Sequence, residues 1–282
     1  MMTGVTFDLR VPGDRIEPSS DHPCAAVLGK DLVVRVGTDG TYALPRLGEL
    51  PRGRDLDLLG TWYGQPVWSM DVTEAPPGFQ ALLWSACLSQ PDVALTDLAA
   101  RAIQVVRFRD EHRYCGRCRT ELHNSRIPYG RTCPSCGLTV YASNQPVALV
   151  AVWREGARGR EVLLARHTYG VTDQYVVIGG WVDAAETLEH AAHRELSEEV
   201  GLAAEDLTYF GSEGWGLNGT GVLLALFTGR VADPTAEPVV DPHEIAEARF
   251  FPLDDLPHPL PPPRSLVARV LSHLASGVVP RS

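Results

Sequence analysis

The chain has 282 residues, 44% hydrophobic and 21% charged; that is enough for two small domains and ordinary for a soluble fold. No apolar run is long enough to cross a membrane and no charged-then-apolar leader is evident, so a cytoplasmic location is the expectation. A formal net charge of −10 argues against broad electrostatic capture of nucleic acid, which needs clustered Lys and Arg.

Residues 1–108 carry short apolar stretches, such as Asp31–Gly37 and Gly64–Met70, punctuated by Pro and Gly. They read as strands joined by turns. From Asp92 to Asp110 the apolar residues Val93, Leu95, Leu98, Ala99, Ile103 and Val106 recur at helical spacing. This first domain carries no catalytic constellation, and its plain role is to flank the substrate or to dimerise.

Residues 109–142 form a cysteine segment. Cys115, Cys118, Cys133 and Cys136 give the spacing C-x2-C-x14-C-x2-C. Each pair can bring two thiolates to one ion. Four thiolates close a tetrahedral zinc shell with no open position, which makes the expected zinc structural. The ribbon is expected to staple the domains on either side of it. Cys24 and Cys87 stand alone and read as buried core residues.

Residues 143–282 read as strand, strand, helix, strand and terminal helix. The strands are Val147–Trp153, Glu161–Arg166 and Gly221–Thr228, and the helices are Glu186–Val200 and Ser265–Ser276. At about 100° per residue, Glu195, Glu198 and Glu199 share one wedge of the first helix. Leu188, Ala192, Leu196 and Val200 supply a neighbouring apolar stripe. Three carboxylates so close repel one another unless a cation neutralises them, which is the chemistry of a magnesium or manganese site shared with substrate phosphates. Such ions would also offset repulsion between an acidic protein and a phosphate substrate. Arg194, four residues before Glu198, is placed to orient it.

Gly180, Glu186, Arg194, Glu195, Leu196, Glu198, Glu199, Gly201 and Leu202 fill every specified position of G-x5-E-x7-R-E-U-x-E-E-x-G-U, with U apolar. That pattern is the Nudix box, and the chain resembles the Nudix hydrolases. The resemblance implies an α/β/α sandwich and hydrolysis of a nucleoside diphosphate linked to another group. It implies Glu195 and Glu199 as metal ligands, Glu198 as a further ligand or a water-orienting base, and the Gly179 carbonyl as a further ligand. The overall fold class expected is therefore α+β: a mixed N-terminal domain, a zinc ribbon and a Nudix sandwich.

A four-cysteine ribbon ahead of a Nudix domain resembles the NADH pyrophosphatase (NAD diphosphatase) family, weakly over the first hundred residues or so and strongly from Tyr114 onward. That likeness implies cleavage of NADH or NAD into nicotinamide mononucleotide, or its reduced form, and AMP by a homodimer. It implies adenine stacking by Tyr141 and Trp181, a late ligand or base at Glu244, and a backbone contact to substrate at Ala268. NAD-capped RNA is a conceivable substrate that the low basicity does not favour. The family usually shows S-Q-P-W-P-F-P-x-S after the box, whereas this chain has Ser212, Glu213, Gly214 and Trp215, with Thr220 at the last position. Glycines in place of prolines predict a more mobile selecting loop, and Glu213 puts an acid where an amide is expected. Substrate choice is therefore expected to shift, with Glu213, Trp215 and Thr220 as selecting contacts. The alternative expectation is a pyrophosphatase for a modified pyridine dinucleotide or another nucleoside diphosphate derivative. A nucleotide sensor without turnover fits less well, because a pure sensor has no need of the full acidic set.

Overall fold

The computed structural model describes residues 7–8, 16–51, 53, 55–87, 93–125, 127–169, 173–215 and 221–276. The chain divides into two units, residues 1–144 with 215–221, and residues 145–214 with 222–282.

In the first unit, β1 (Phe7–Asp8), β2 (Cys24–Leu28), β3 (Asp31–Val36), β4 (Tyr42–Ala43), β5 (Asp57–Trp62), β6 (Gln65–Asp71) and β7 (Gln80–Leu83) form one sheet. Its order is β1-β5-β6-β2-β3-β4, with β7 also on β3. Side chains alternate across a strand, so Ala25 and Val27 face one core while Cys24 and Ala26 face another. A short helix α1 (Trp84–Cys87) precedes α2 (Val93–Glu111), whose Leu95, Leu98, Ala99 and Ile103 are fully buried against the first face. Cys24 and Cys87 are both fully buried, as expected of core cysteines.

The cysteine segment belongs to this same unit. It is built on β8 (His123–Asn124), β9 (Gly130–Thr132) and β10 (Thr139–Tyr141), in the order β10-β9-β8. Helix α2 continues through the boundary expected at residue 108. A set of buried polar contacts locks the ribbon to the N-terminal sheet. Arg109 pairs with Asp57 through two bonds of 2.9 and 2.5 Å and donates to the Gly130 carbonyl at 2.8 Å. Arg131 pairs with Asp55 at 2.8 Å, and the Tyr129 hydroxyl donates to the Leu58 carbonyl at 2.7 Å.

The second unit is a sheet between two helices. Its strands are β11 (Asn144–Gly156), β12 (Gly159–His167), β13 (Ile178–Trp181), β14 (Ala204–Trp215), β15 (Gly221–Val231) and β16 (Ile245–Pro252). The order is β14-β15-β11-β12-β16, with β13 pairing the first half of β11. The helices are α3 (Leu188–Val200) and α4 (Leu266–Ala275). Ala148, Val150, Val152, Leu163 and Ala165 pack under Ala192, Leu196 and Val200 of α3. Ala151, Val162 and Leu164 pack under Leu266, Val270, Leu271 and Leu274 of α4. The period-two pattern of β11 and β12 thus serves both faces, which is the α/β/α sandwich. Strands β13, β14 and β16 are additional to the three read from sequence; none of them carries a continuous apolar run. Among the described residues, no helix is long and apolar enough to cross a membrane.

The selecting segment departs from its expectation. Ser212–Trp215 is not loop but the end of β14, next to β15 in the sheet. A neighbouring strand satisfies this backbone despite Gly211 and Gly214, so the glycines do not free it. Residues 216–220, including Thr220, lie outside the described residues, as does the Trp215 side chain.

The Arg109–Asp57 pair is 7% and 13% exposed. Asp57→Ala would strand the guanidinium without its carboxylate, a loss of about 3–5 kcal/mol for a buried pair. Urea unfolding of the variant should show it, and a change under about 1 kcal/mol would mean the pair locks nothing.

Candidate active site

The site is assembled around α3. Thr187 caps its first turn by accepting from the His190 N–H, and Gly201 ends it at φ +66°, a left-handed conformation that favours glycine. The helix lies against β13 closely enough that any side chain at Gly180 would overlap the Glu195 carboxylate. The absence of a side chain at Gly180 leaves room for that carboxylate.

The three glutamates of the predicted wedge do not share one environment. Glu195 and Glu199 are buried, 9% and 3% exposed, whereas the Glu198 side chain is 61% exposed. Burial, and then the neighbouring carboxylates of Glu195 and Glu244, push Glu199 up to about 8. Burial also raises Glu195, against the lowering effect of Arg194. Glu199 Oε2 is buried with no hydrogen-bond partner among the described residues. A buried, unpartnered carboxylate oxygen costs free energy unless something neutralises it. The backbone N–H of Gly179 also favours the charged form of Glu199, so this residue meets the site from β13. Glu244, in the turn before β16, is close enough to raise both Glu195 and Glu199 electrostatically. The structure thus brings Glu195, Glu199, Glu244 and Gly179 to one place.

Arg194 is the hub of this acidic side. It donates to both oxygens of Glu186 at 2.9 Å, to Glu195 at 2.7 Å, to Glu198 at 3.0 Å and to the Trp181 carbonyl at 2.9 Å. Its paired guanidinium draws the Glu186 carboxyl down to about 2. One cation therefore orients three glutamates, where sequence spacing suggested one. Glu186 is a specified position of the box, but only the fold shows that it secures Arg194.

Neither predicted stacking ring lies in a core. Trp181, at the end of β13, is 46% exposed and Tyr141, in β10, is 48% exposed. Glu213 Oε2 accepts from the Leu266 N–H at 2.7 Å, at the first turn of α4. The carboxylate therefore compensates the helix N-terminus, in addition to any contact with substrate. The Ala268 N–H is used by the Ser265 cap, and its carbonyl accepts from the Ser272 hydroxyl. Residues at the end of β12 border the site without any motif in the sequence: His167 and Tyr169 have ring centroids 5.1 Å apart, and Tyr169 is 60% exposed. Burial, followed by Glu199, Glu244 and Glu195, raises the Tyr169 phenol. This places it by the carboxylates.

The donor set suits a hard divalent cation: carboxylate oxygens, one of them orphaned, on a rigid helix. These acids are more open than the cysteine set, which alone among the described residues holds its ligand atoms within 4.8 Å of one another. Carboxylates of this kind hold hard divalent ions whose shell substrate oxygens and water complete. In the ribbon, Cys115 and Cys136 sulfurs are 3.6 Å apart and Cys118 and Cys133 sulfurs 3.4 Å apart. The four could close around one soft-ligand ion.

A family profile described as the NUDIX domain matches residues 144–271. The NAD-capped RNA hydrolase NudC of Deinococcus radiodurans is 34% identical over 247 residues, 86% of each chain. The protein of that name in Escherichia coli O1:K1 is 33% identical over 238 residues, 81% of this chain and 87% of its own. The chain is a Nudix hydrolase of the NADH pyrophosphatase family. A solved MutT Nudix hydrolase from Burkholderia pseudomallei is 26% identical, covering 46% of this chain and 97% of its own with a TM-score of 0.39. Membership gives the acidic helix its place in a known enzyme class, and the geometry above gives the physical basis.

Two outcomes follow from this Nudix site. In metal-free protein the Glu199 carboxyl ionises near pH 8 when folded, against its ordinary 4.5. The folded state then holds the extra proton between those values, so this group's contribution is fully present below the lower one and lost as pH rises through the upper. Thermal melts in chelator should fall between pH 6 and 8.5 by less in Glu199→Gln than in the parent. Equal falls would overturn the assignment. At α4, Glu213→Ala should cost about 1 kcal/mol of stability, as for loss of a helix cap. Glu213→Gln, which keeps an acceptor, should lose less, and chemical denaturation that ranks the two the other way would refute the capping role.

Proposed function

We propose that this chain hydrolyses the pyrophosphate bridge of NADH- and NAD-like dinucleotides, releasing nicotinamide mononucleotide, or its reduced form, and AMP. Magnesium or manganese is held by Glu195, Glu199 and Glu244 with the Gly179 carbonyl, and zinc by Cys115, Cys118, Cys133 and Cys136. The observation that carries the reading is the buried, partnerless Glu199 oxygen beside two further carboxylates. When bound, the divalent ions neutralise phosphate oxygens and lower the pKa of the attacking water.

The chain's own residues do the rest. Glu195 and Glu199 fix the site on a helix that cannot shift without breaking its packing on β13. Arg194 holds Glu198 through one oxygen, leaving the other to accept the proton of the attacking water. Glu244 is the second carboxylate able to take that proton. Water oxygen joins one phosphorus, the bridging P–O bond breaks, and the bridging oxygen departs on the other monophosphate. The exposed rings of Trp181 and Tyr141 offer faces for a flat base, worth about 1–3 kcal/mol per stacked base. Trp215, Thr220 and the backbone of Ala268 complete the proposed substrate contacts, and the working assembly is proposed to be a homodimer in the cytoplasm. Domain limits of 1–108, 109–142 and 143–282 belong to the same proposal.

A second substrate reading is favoured by the relatives, which are named for NAD-capped RNA. Such RNA presents the same pyrophosphate. A third, a modified pyridine dinucleotide, is favoured by the altered segment around Glu213. NADH, NAD, ADP-ribose and NAD-capped RNA should be compared with magnesium and with manganese in heavy-oxygen water, with products weighed by mass spectrometry. The expected result is turnover of NADH or NAD with one labelled oxygen in one monophosphate. Glu199→Gln should lower kcat by at least about a hundredfold with an unchanged circular dichroism spectrum. A parent enzyme that binds the metal and splits none of the four would sink the substrate reading.

A further inference from the structure

We infer that Thr168 is a positioning residue: it straps the turn bearing Glu244 to the end of β12 and so holds that carboxylate in the acidic site. The inference rests on the proposed metal-dependent reading of this site.

The turn is short and has nothing of its own to fix its direction. Asp241 organises it internally: its Oδ1 accepts from the His243 N–H at 2.9 Å, and its carbonyl accepts from Ile245 at 2.8 Å. Two outside anchors then set where it sits. On one side the Asp241 N–H donates to the Glu199 carbonyl at 2.9 Å, tying the turn to the last part of α3. On the other, His167 pairs with Ile245 and Thr168 bonds the two residues before it. Its N–H donates to the Glu244 carbonyl at 2.8 Å, and its hydroxyl lies 2.8 Å from the His243 carbonyl and 3.2 Å from the Glu244 carbonyl.

The strand register shows why such a strap is needed here. Arg166 is opposite Glu247, but His167 is opposite Ile245, so Ala246 is an extra residue in β16. A bulge of this kind bends the strand and re-aims the neighbouring side chains. It also breaks the ladder at Ala246, two residues from Glu244, and leaves a single register pair, His167 with Ile245, before the turn. His167 resumes the pairing opposite Ile245, and Thr168 extends it to Glu244 and adds a hydroxyl within reach of two successive carbonyls. The threonine is exposed rather than packed, so its side chain contributes these bonds and little core. Residues that orient a ligating carboxylate typically change metal affinity or activity by about 10–100-fold when removed.

Thr168→Val keeps the shape and the N–H but deletes the hydroxyl, and Thr168→Ser restores it. Manganese titration by calorimetry in the absence of substrate should show affinity about tenfold weaker in the valine variant, with serine near the parent. Turnover should fall mainly in kcat, and Thr168→Val should add less than twofold once Glu244→Gln is present. Equal factors in both backgrounds, or a lowered melting temperature with unchanged manganese affinity, would overturn the inference. If the valine variant does not fold, Thr168→Ala is read by the same two criteria. A parent protein that takes up no manganese would instead overturn the metal reading itself, which keeps the two failures apart.

Discussion

The acidic site depends on one unfavourable contact, the burial of Glu195 and Glu199 side by side against β13. Left alone, Glu199 in that position favours its protonated form, as its value near 8 indicates, and burial raises Glu195 in the same direction. The fold nevertheless provides for them. Gly180 leaves the space that the Glu195 carboxylate occupies, Arg194 supplies one positive charge, and a stripe of Ala192, Leu196 and Val200 anchors the helix from beneath. That anchoring supplies the free energy that holds the charges together. Burying each large apolar side chain is worth roughly 1.5–3 kcal/mol, enough in sum to hold a locally repulsive arrangement ready for a cation.

The protein's acidity is consistent with this view. A chain with net charge −10 has no electrostatic reason to attract a dinucleotide. Attraction has to be local, and a divalent ion between carboxylates and phosphates provides it. Arg194 does not: it is saturated by three glutamates and a carbonyl. Its work is to decide which glutamates are committed to structure. Glu186 and one oxygen of Glu198 are, whereas one oxygen of Glu199 has no hydrogen-bond partner among the described residues.

How much of this was legible in the sequence depends on the range of the interaction concerned. The helix and its apolar stripe followed from spacing alone, because helical periodicity is local. Four cysteines in two knuckles were equally legible. The separation of Glu198 from Glu195 and Glu199 was not, since a helical wheel gives angles but not the height of the neighbouring strand. The Arg109–Asp57 lock joins residues 52 apart, and no local pattern marks either one. Strands β14 and β16 were missed because polar residues interrupt their apolar ones, and in β14 the glycines also read as breaks. The same error turned Ser212–Trp215 into a loop, when cross-strand pairing with β15 outweighed the freedom that glycine confers.

That correction changes what Glu213 means. Read from sequence, an acid replacing an amide suggested a direct partner for a cationic ring. In the fold, one oxygen is spent on the first turn of α4, the helix that also carries Ala268. An amide could make that same bond with its carbonyl oxygen, so capping alone does not require an acid. What the acid adds is negative charge at the positive end of a helix. The charge thus tightens the junction between the end of β14 and α4, and it does so from within the segment that differs most from the family pattern. Prolines would stiffen such a segment through backbone geometry; here a strand edge and one charge-assisted bond to a helix terminus can perform the same task with glycines in the chain.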